Sequence, residues 1–307
     1  MARVRARRDH LLVVSTDTTH EREAAAIRVL VVDDHPALQA GLEGLLAGEG
    51  DMDCVGTVGS AEGLAVIDPG PAEDEHLSAL VAAIGDAPVL AIACTHTHRD
   101  HSPAAAPLAA LTGAPIVGCA PLAIESGELR ADAPFDKSYA PDRVLADGEQ
   151  IAGPGWTLTA IATPGHTSNH LCFALEETGA LFTGDHVMGW STPVVAPPDG
   201  DMADYMASLD KLHAREDRVY YPAHGPAVHK PKQLVRGMIG HRRLRERQIL
   251  RLLGHAPQTV AELVPQMYKG VSEFLWPAAG LSVSAHLFDL ERRGRVARSE
   301  DLWTIRT

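Results

Sequence analysis

Short apolar runs alternate with segments of helical period along most of this chain. The run PVLAIACT, residues 88–95, is rich enough in apolar side chains for a buried strand, and it delivers His96 at its end. SPAAAPLAALTG then has helical spacing, with Ser102 placed to open the helix, Pro103 at its first position and Gly113 at its exit, before a strand in PIVGC. WTLTAIAT, residues 156–163, alternates as a strand does and stops at Pro164-Gly165-His166. HLCFAL and ALFT read as two further strands across the turn-like EETG, and the second stops at Gly184-Asp185. MADYMASLDKLHA has helical spacing; RVYYPA is a strand that runs out at His224-Gly225-Pro226. The pattern predicts an α/β fold in which four separate strand ends present histidine or aspartate.

From Pro231 the pattern changes. A long helix is expected to reach Leu253, TVAELVPQMY opens with Thr259 and Glu262 in capping-box spacing, and PAAGLSVSAHLFDLERRG gives a third helix. RVARSEDLWTIR closes as a small hairpin, so residues 237–307 read as a winged-helix module. Charge marks the same division: residues 237–307 carry 11 Lys/Arg against seven Asp/Glu, and the preceding part 16 against 33. The net charge of -13 argues against general adhesion to nucleic acid or anionic membrane. A local exception is the helix with Arg236, Arg242, Arg243, Arg245, Arg247 and Arg251, which could track phosphates, form a solvated face or pair with the acidic domain. The module itself reads as a packing or dimerising appendage or as a nucleic-acid binder.

At 307 residues and 45% hydrophobic content the chain has material for one large and one small folded unit. No apolar run approaches a membrane span, and MARVRARRDHLLVV is too short in its apolar part for a secretory signal; residues 1–26 are expected to be a disordered extension. Cys54, Cys94, Cys119 and Cys172 are scattered, which supports neither a disulfide framework nor a cysteine-rich zinc site and suits a reducing cytoplasm.

The candidate chemistry begins at THTHRDHS, where three histidines and an aspartate fall within six residues. Several imidazoles facing one space are desolvated and, if protonated, repel one another; a metal ion removes that conflict. In extended backbone His96 and His98 point to one side, while the turn through Arg99 lets Asp100 and His101 face a neighbouring position. His166, Asp185 and His224, at the other strand ends, could complete two sites. His170, four residues after His166, is either a catalytic helper or a structural support.

HxHxDH, TPGHTSNH, FTGD and PAHGP, in this order, resemble the metallo-β-lactamase superfamily over residues 63–232. The resemblance implies a four-layer αββα hydrolase domain, residues 63–236, with His96, His98 and His166 on a first zinc, Asp100, His101 and His224 on a second, and Asp185 bridging them. It also implies that Asp68, in AVIDPGP, supports the ligand loop without binding metal. THTHRDHS, GDHVMG, YYPAHGPAVH and HRRLRERQIL are similar to the β-lactamase-like protein 2 branch, with its C-terminal winged helix. That branch includes endoribonucleases acting on single-stranded RNA and fungal thioesterases acting on carrier-protein polyketides.

The implied function is a dizinc hydrolase whose metal-bridging hydroxide cleaves an ester, thioester, lactam or phosphodiester bond. Asp100 and His170 are its candidate catalytic residues. A small acyl substrate and single-stranded RNA remain open as partners, a homodimer is compatible, and no membrane is involved. The segment WSTPVVAPPDGD is placed to form a substrate wall or a plain surface loop.

Residues 27–62 do not fit this pattern. IRVLVVDDHPALQAGLEGLL, continuing into DMDCVGTVGSAEG, resembles the first strand, first helix and second strand of a response-regulator receiver, with Asp33 and Asp34 as its acidic pair. The fragment lacks the remaining receiver partners, and it displaces the hairpin that usually begins the hydrolase fold. Either residues 29–32 and 54–58 substitute as strands, or the region is a poorly anchored graft from a gene fusion. A receiver-like start and a winged-helix end also raise the alternative of a non-enzymatic regulator, which has no need for the metal motifs.

Overall fold

The computed structural model describes residues 62–122 and 135–306, together with the backbone of three earlier strands. These three, β1 (Leu12–Val14), β2 (Arg28–Val32) and β3 (Val55–Ser60), form an antiparallel meander with β4 (Gly63–Ile67). From β4 the sheet continues in parallel through β5 (Val89–Cys94), β6 (Ile116–Gly118) and β7 (Arg143–Val144), giving seven strands in sequence order. Helices α1 (Asp74–Ile84) and α2 (Ala105–Thr112) make the parallel crossovers.

The second sheet contains β8 (Gln150–Gly153), β9 (Trp156–Ala162), β10 (Leu171–Leu175), β11 (Ala180–Gly184) and β12 (Val219–Pro222) in the order β12-β11-β10-β9-β8. Helix α3 (Met202–Ala214) joins β11 to β12, and those two strands are parallel. Residue alternation sorts this sheet into two faces. Leu158, Ala160, Leu171, Phe173, Leu175 and Phe182 meet Val66, Ile92 and Val117 of the first sheet, while Ile161, Cys172, Ala174, Leu181 and Tyr220 face α3. Burial on both faces explains why the central strands read as unbroken apolar runs. Each large side chain fully withdrawn from water contributes roughly 1.5–3 kcal/mol. The result is the αββα layering expected from the motifs.

Helix α4 (Pro231–Leu253) crosses the boundary expected at residues 236/237 without interruption. Its Val235, Met238 and Ile239 belong to the core beside α3, whereas Ile249 and Leu253 pack with α5 (Val260–Met267), α6 (Trp276–Arg292) and the hairpin β13 (Val296–Ser299) and β14 (Leu302–Ile305). The change of core falls between Ile239 and Ile249, inside the helix. Thr259 and Glu262 form the capping box reciprocally, as their spacing indicates.

Three expectations need correction. The helix after the HxHxDH segment begins at Ala105, not at Pro103 behind a Ser102 cap: Ser102 Oγ donates to Asp136 Oδ2 at 3.2 Å in place of capping; Gly113 does close it, in the left-handed conformation at φ 73°. Residues 12–14 pair with β2 and so are not part of a structureless extension; the rest of 1–26 lies outside the described residues. In a receiver's strand-helix-strand unit the two strands lie parallel, but β2 and β3 run antiparallel, with Arg28 opposite Gly59 and Val32 opposite Val55. Asp33, Asp34 and Cys54 lie outside the described residues. No described helix is long and apolar enough to cross a membrane.

Candidate metal centre

The ends of β4, β5, β9, β11 and β12 supply the site. Asp68 follows β4 with φ 48°, a left-handed conformation that aspartate tolerates better than most residues. Its Oδ1 accepts Thr95 N–H at 2.7 Å, and its Oδ2 accepts Thr95 Oγ1–H at 2.7 Å and His101 Nδ1–H at 3.1 Å. The β4 end therefore grips the β5 end directly. Gly184, at φ 48°, closes β11 where a Cβ would stand 2.6 Å from Thr95 Oγ1 and 2.8 Å from His170 Nε2. Only glycine lets Asp185 approach the histidines this closely.

The seven residues expected from the motifs converge in two groups, His96, His98, His166 and Asp185 in one and Asp100, His101 and His224 in the other, each with potential ligand atoms within 4.8 Å of one another. In the first, His96 Nε2 and His166 Nε2 lie 3.0 and 3.2 Å from His98 Nδ1. In the second, His224 Nε2 is 3.2 Å from Asp100 Oδ2, and His101 Nε2 is 3.5 Å from the same oxygen. Asp185 stands between the groups, with Oδ2 3.6 Å from His166 Nε2 and Oδ1 3.2 Å from His224 Nε2.

Hydrogen bonding on the far side of the rings fixes what they present. Thr95 Oγ1 gives its proton to Asp68, so it must accept from His96 Nδ1–H at 2.9 Å, and the neutral His96 ring turns a bare Nε2 inward. His166 Nδ1–H donates to Val194 O at 2.8 Å, a tautomer whose lone pair falls on the inward Nε2. Two lone pairs thus meet at one His98 nitrogen that can satisfy at most one of them. His101 Nε2 and Asp185 Oδ1 are buried without a hydrogen bond.

Charge tells the same story. Burial and then the neighbouring imidazoles push His96 far below the ordinary histidine range, and burial with His166 takes His98 down to about 3. Burial works against His101 too, but the Asp100 and Asp185 carboxylates overcome it and hold His101 protonated. Burial likewise opposes ionisation of those two carboxylates; His101 and His224 nevertheless keep both well below the usual range. A buried proton on His101 balances two carboxylates facing bare nitrogens, and metal cations fit this donor set in its place.

Of the two readings of His170, its hydrogen bonds favour structural support. Asp185 N–H donates to its Nε2 at 3.2 Å, and its Nδ1–H donates to Thr163 Oγ1 at 2.9 Å, so both nitrogens are engaged and the ring has nothing to offer a substrate. Burial, followed by His186, holds it neutral. His186 went unnoticed in the sequence. Its ring lies 4.6 Å from Tyr205 and 5.7 Å from His170, and burial lowers its pKa to about 3. Thr95 and Thr163 were missed for a related reason: each acts through a hydrogen bond, a role no threonine advertises in sequence.

A cavity of about 740 Å³ is lined by Gly189, Trp190, Thr192, Val228, Leu234 and His241 among others, and by none of the seven candidate ligands. Its two loops are tied to the site, since Gly189 N–H donates to His224 O at 2.8 Å. Trp190, Ser191 and Thr192, the first residues of WSTPVVAPPDGD, are among its lining residues. Of the arginines expected to track phosphates, Arg242 is 3% exposed and bonds Pro193 O, and Arg245 bonds Met267 O while lying over Tyr268, so neither faces solvent as a phosphate ligand. Arg236, Arg243, Arg247 and Arg251 are exposed.

The chain matches the metallo-beta-lactamase superfamily over residues 55–224 and the beta-lactamase associated winged helix domain over residues 259–303. It is 31% identical to the beta-lactamase-like protein 2 homolog of Drosophila melanogaster over 259 residues, 80% of this chain and 84% of that one. It is also 35% identical to an atrochrysone carboxyl ACP thioesterase of Aspergillus fumigatus, over 59% of this chain and 52% of that protein. Among solved structures, a metallo-beta-lactamase family protein of Thermus thermophilus has the same fold, with a TM-score of 0.67, 21% identity and coverage of 96% of this chain and 98% of that one. These matches, together with the converging histidines and aspartates, make the chain a metal-dependent hydrolase: it belongs to the metallo-beta-lactamase superfamily.

Proposed function

We propose that this protein is a dizinc hydrolase of small acyl thioesters or esters. The observation that carries the dinuclear reading is Asp185, whose two oxygens serve different nitrogen groups, Oδ2 toward His166 and Oδ1 toward His224. His96, His98 and His166 would hold one ion, Asp100, His101 and His224 the other, with Asp185 shared. Two zinc ions held there would supply Lewis acidity toward the carbonyl oxygen and an activated water near neutral pH. Asp100, whose side chain is 33% exposed against 10% for Asp185, is the carboxylate open to the substrate side. It would accept a hydrogen bond from the attacking water and so orient it toward the carbonyl carbon. Asp68 and Thr95 hold His96 and His101 in their required tautomers, and His170 holds the Asp185 backbone.

The largely apolar cavity walled by Trp190, Val228 and Leu234 supports an acyl chain as substrate, as does the thioesterase relative. The buried free thiols Cys94, Cys119 and Cys172 fit a reducing cytoplasm. The test is zinc-loaded full-length protein against a panel of acyl N-acetylcysteamine thioesters and a labelled single-stranded RNA. Thioester cleavage that Asp100→Asn lowers by about a hundredfold or more is expected, since Asn keeps the side chain's size but loses the carboxylate that would bind metal and orient the water. Cleavage of the RNA with every thioester left intact would overturn the acyl reading.

A further inference from the structure

We propose that the winged-helix module positions His166, through a clamp that Arg242 and Ser282 exert on residues 193–195. The inference rests on reading His166 as a metal ligand. Three consecutive residues carry it. The Pro193 carbonyl accepts from Arg242 Nη2 of α4, the Val194 carbonyl accepts from His166 Nδ1–H at 2.8 Å, and Val195 N–H donates to Ser282 Oγ of α6 at 3.5 Å. The residue that sets the His166 tautomer is thus flanked on both sides by bonds to helices of the C-terminal part.

Residues 193–198 need such outside partners. Pro193, Pro197 and Pro198 have no N–H, so this stretch has few donors with which to build a ladder of its own. Arg242 is built into its place: it is 3% exposed, its guanidinium carbon lies 5.0 Å from the Tyr205 ring centroid, and Val195 beside it is fully buried. A planar guanidinium can stack on the ring and donate at the same time. The clamp also gives the module a role that requires neither nucleic acid nor a second chain.

The test compares full-length Arg242→Met, Arg242→Lys and Ser282→Ala with the wild type, using Arg245→Met as a control at the Gln248, Met267 and Tyr268 contacts. Zinc affinity is read by competition with a chelator, and the His166 Nδ1–H proton by its solvent exchange in NMR on metal-free protein. Arg242→Met is expected to speed that exchange at least tenfold and to weaken the tighter zinc site by about 10- to 100-fold, the range for partners that orient metal ligands. Arg242→Lys, which keeps a donor, restores most of both, and Ser282→Ala shifts both by a few-fold. Arg245→Met lowers thermal stability and leaves both unchanged. Folded Arg242→Lys and Ser282→Ala proteins with wild-type exchange and affinity, together with either the same result for Arg242→Met or its failure to fold, would overturn the clamp. A wild type that takes up no zinc yet shows the exchange differences would sink the metal reading and leave the clamp standing.

Discussion

At Asp68 one carboxylate accepts from three donors on the β5 end: the amide and hydroxyl of Thr95 and the Nδ1–H of His101. Asp68→Ala strands all three in a buried site, where each unsatisfied group costs about 1–3 kcal/mol. A loss of at least about 3 kcal/mol is therefore expected, read as a lower urea midpoint at constant slope; an unchanged midpoint would refute the role. The histidines give a pH dependence whose sign can be worked out. His96, His98, His170, His186, His241 and His286 all have folded pKa values below the ordinary 6.5, with His98, His186 and His286 near 3. Their contribution is present above 6.5 and is lost as pH falls toward the folded values, because the unfolded chain takes up the protons. His101, raised instead, contributes in the opposite sense: its share is present below 6.5 and lost as pH climbs through its folded value. With six groups against one, metal-free protein should lose stability from pH 7 to 5, by roughly 1.4 kcal/mol per pH unit for each net proton. Thermal melts at pH 7, 6 and 5 check this, and a flat profile would contradict it.

Among the elements, α3 ties the site to the C-terminal part. Its N-cap Asp201 accepts from Ala203 N–H at 2.8 Å and Asp204 N–H at 3.1 Å, and also meets Arg292 of α6 at 2.7 Å. Asp201→Ala should cost about 1–2 kcal/mol, most of it from the lost cap, measured by urea unfolding. Gly165, just before His166, has φ 134° and sits where a Cβ would lie 2.2 Å from Tyr205 Cα. Gly165→Ala should destabilise by about 2–4 kcal/mol, since backbone strain and overpacking act together, and should weaken metal binding by displacing His166. Most of the elements were legible because their signals are local: apolar runs at β5 and β10, a capping box at α5, and metal-ligand residues clustered at strand ends. Partners far along the chain were not. Ser102 leaves its helix for Asp136, 34 residues away, and Arg242 turns out of a basic run toward Pro193, 49 residues away. The antiparallel pairing of β2 with β3 likewise depends on the sheet they join, which their own receiver-like pattern does not encode.

For the whole molecule, α4 threads two cores, with Met238 and Ile239 in one and Ile249 and Leu253 in the other. Heat or urea should therefore unfold the hydrolase and winged-helix parts in one cooperative transition, and two well-separated transitions would show that the shared helix does not couple them. Deleting residues 237–307 would remove Met238, Ile239 and Ala285 from the core beside α3 and expose its apolar face, and would take Arg242 and Ser282 with them, so loss of solubility is expected together with weaker zinc binding at His166. The dinuclear centre itself is tested most directly by native mass spectrometry of zinc-loaded protein beside its Asp185→Ala variant. Two ions per wild-type chain, with one or none in the variant, is the expected result. A wild type that retains no ion, or a variant that keeps two, would contradict it.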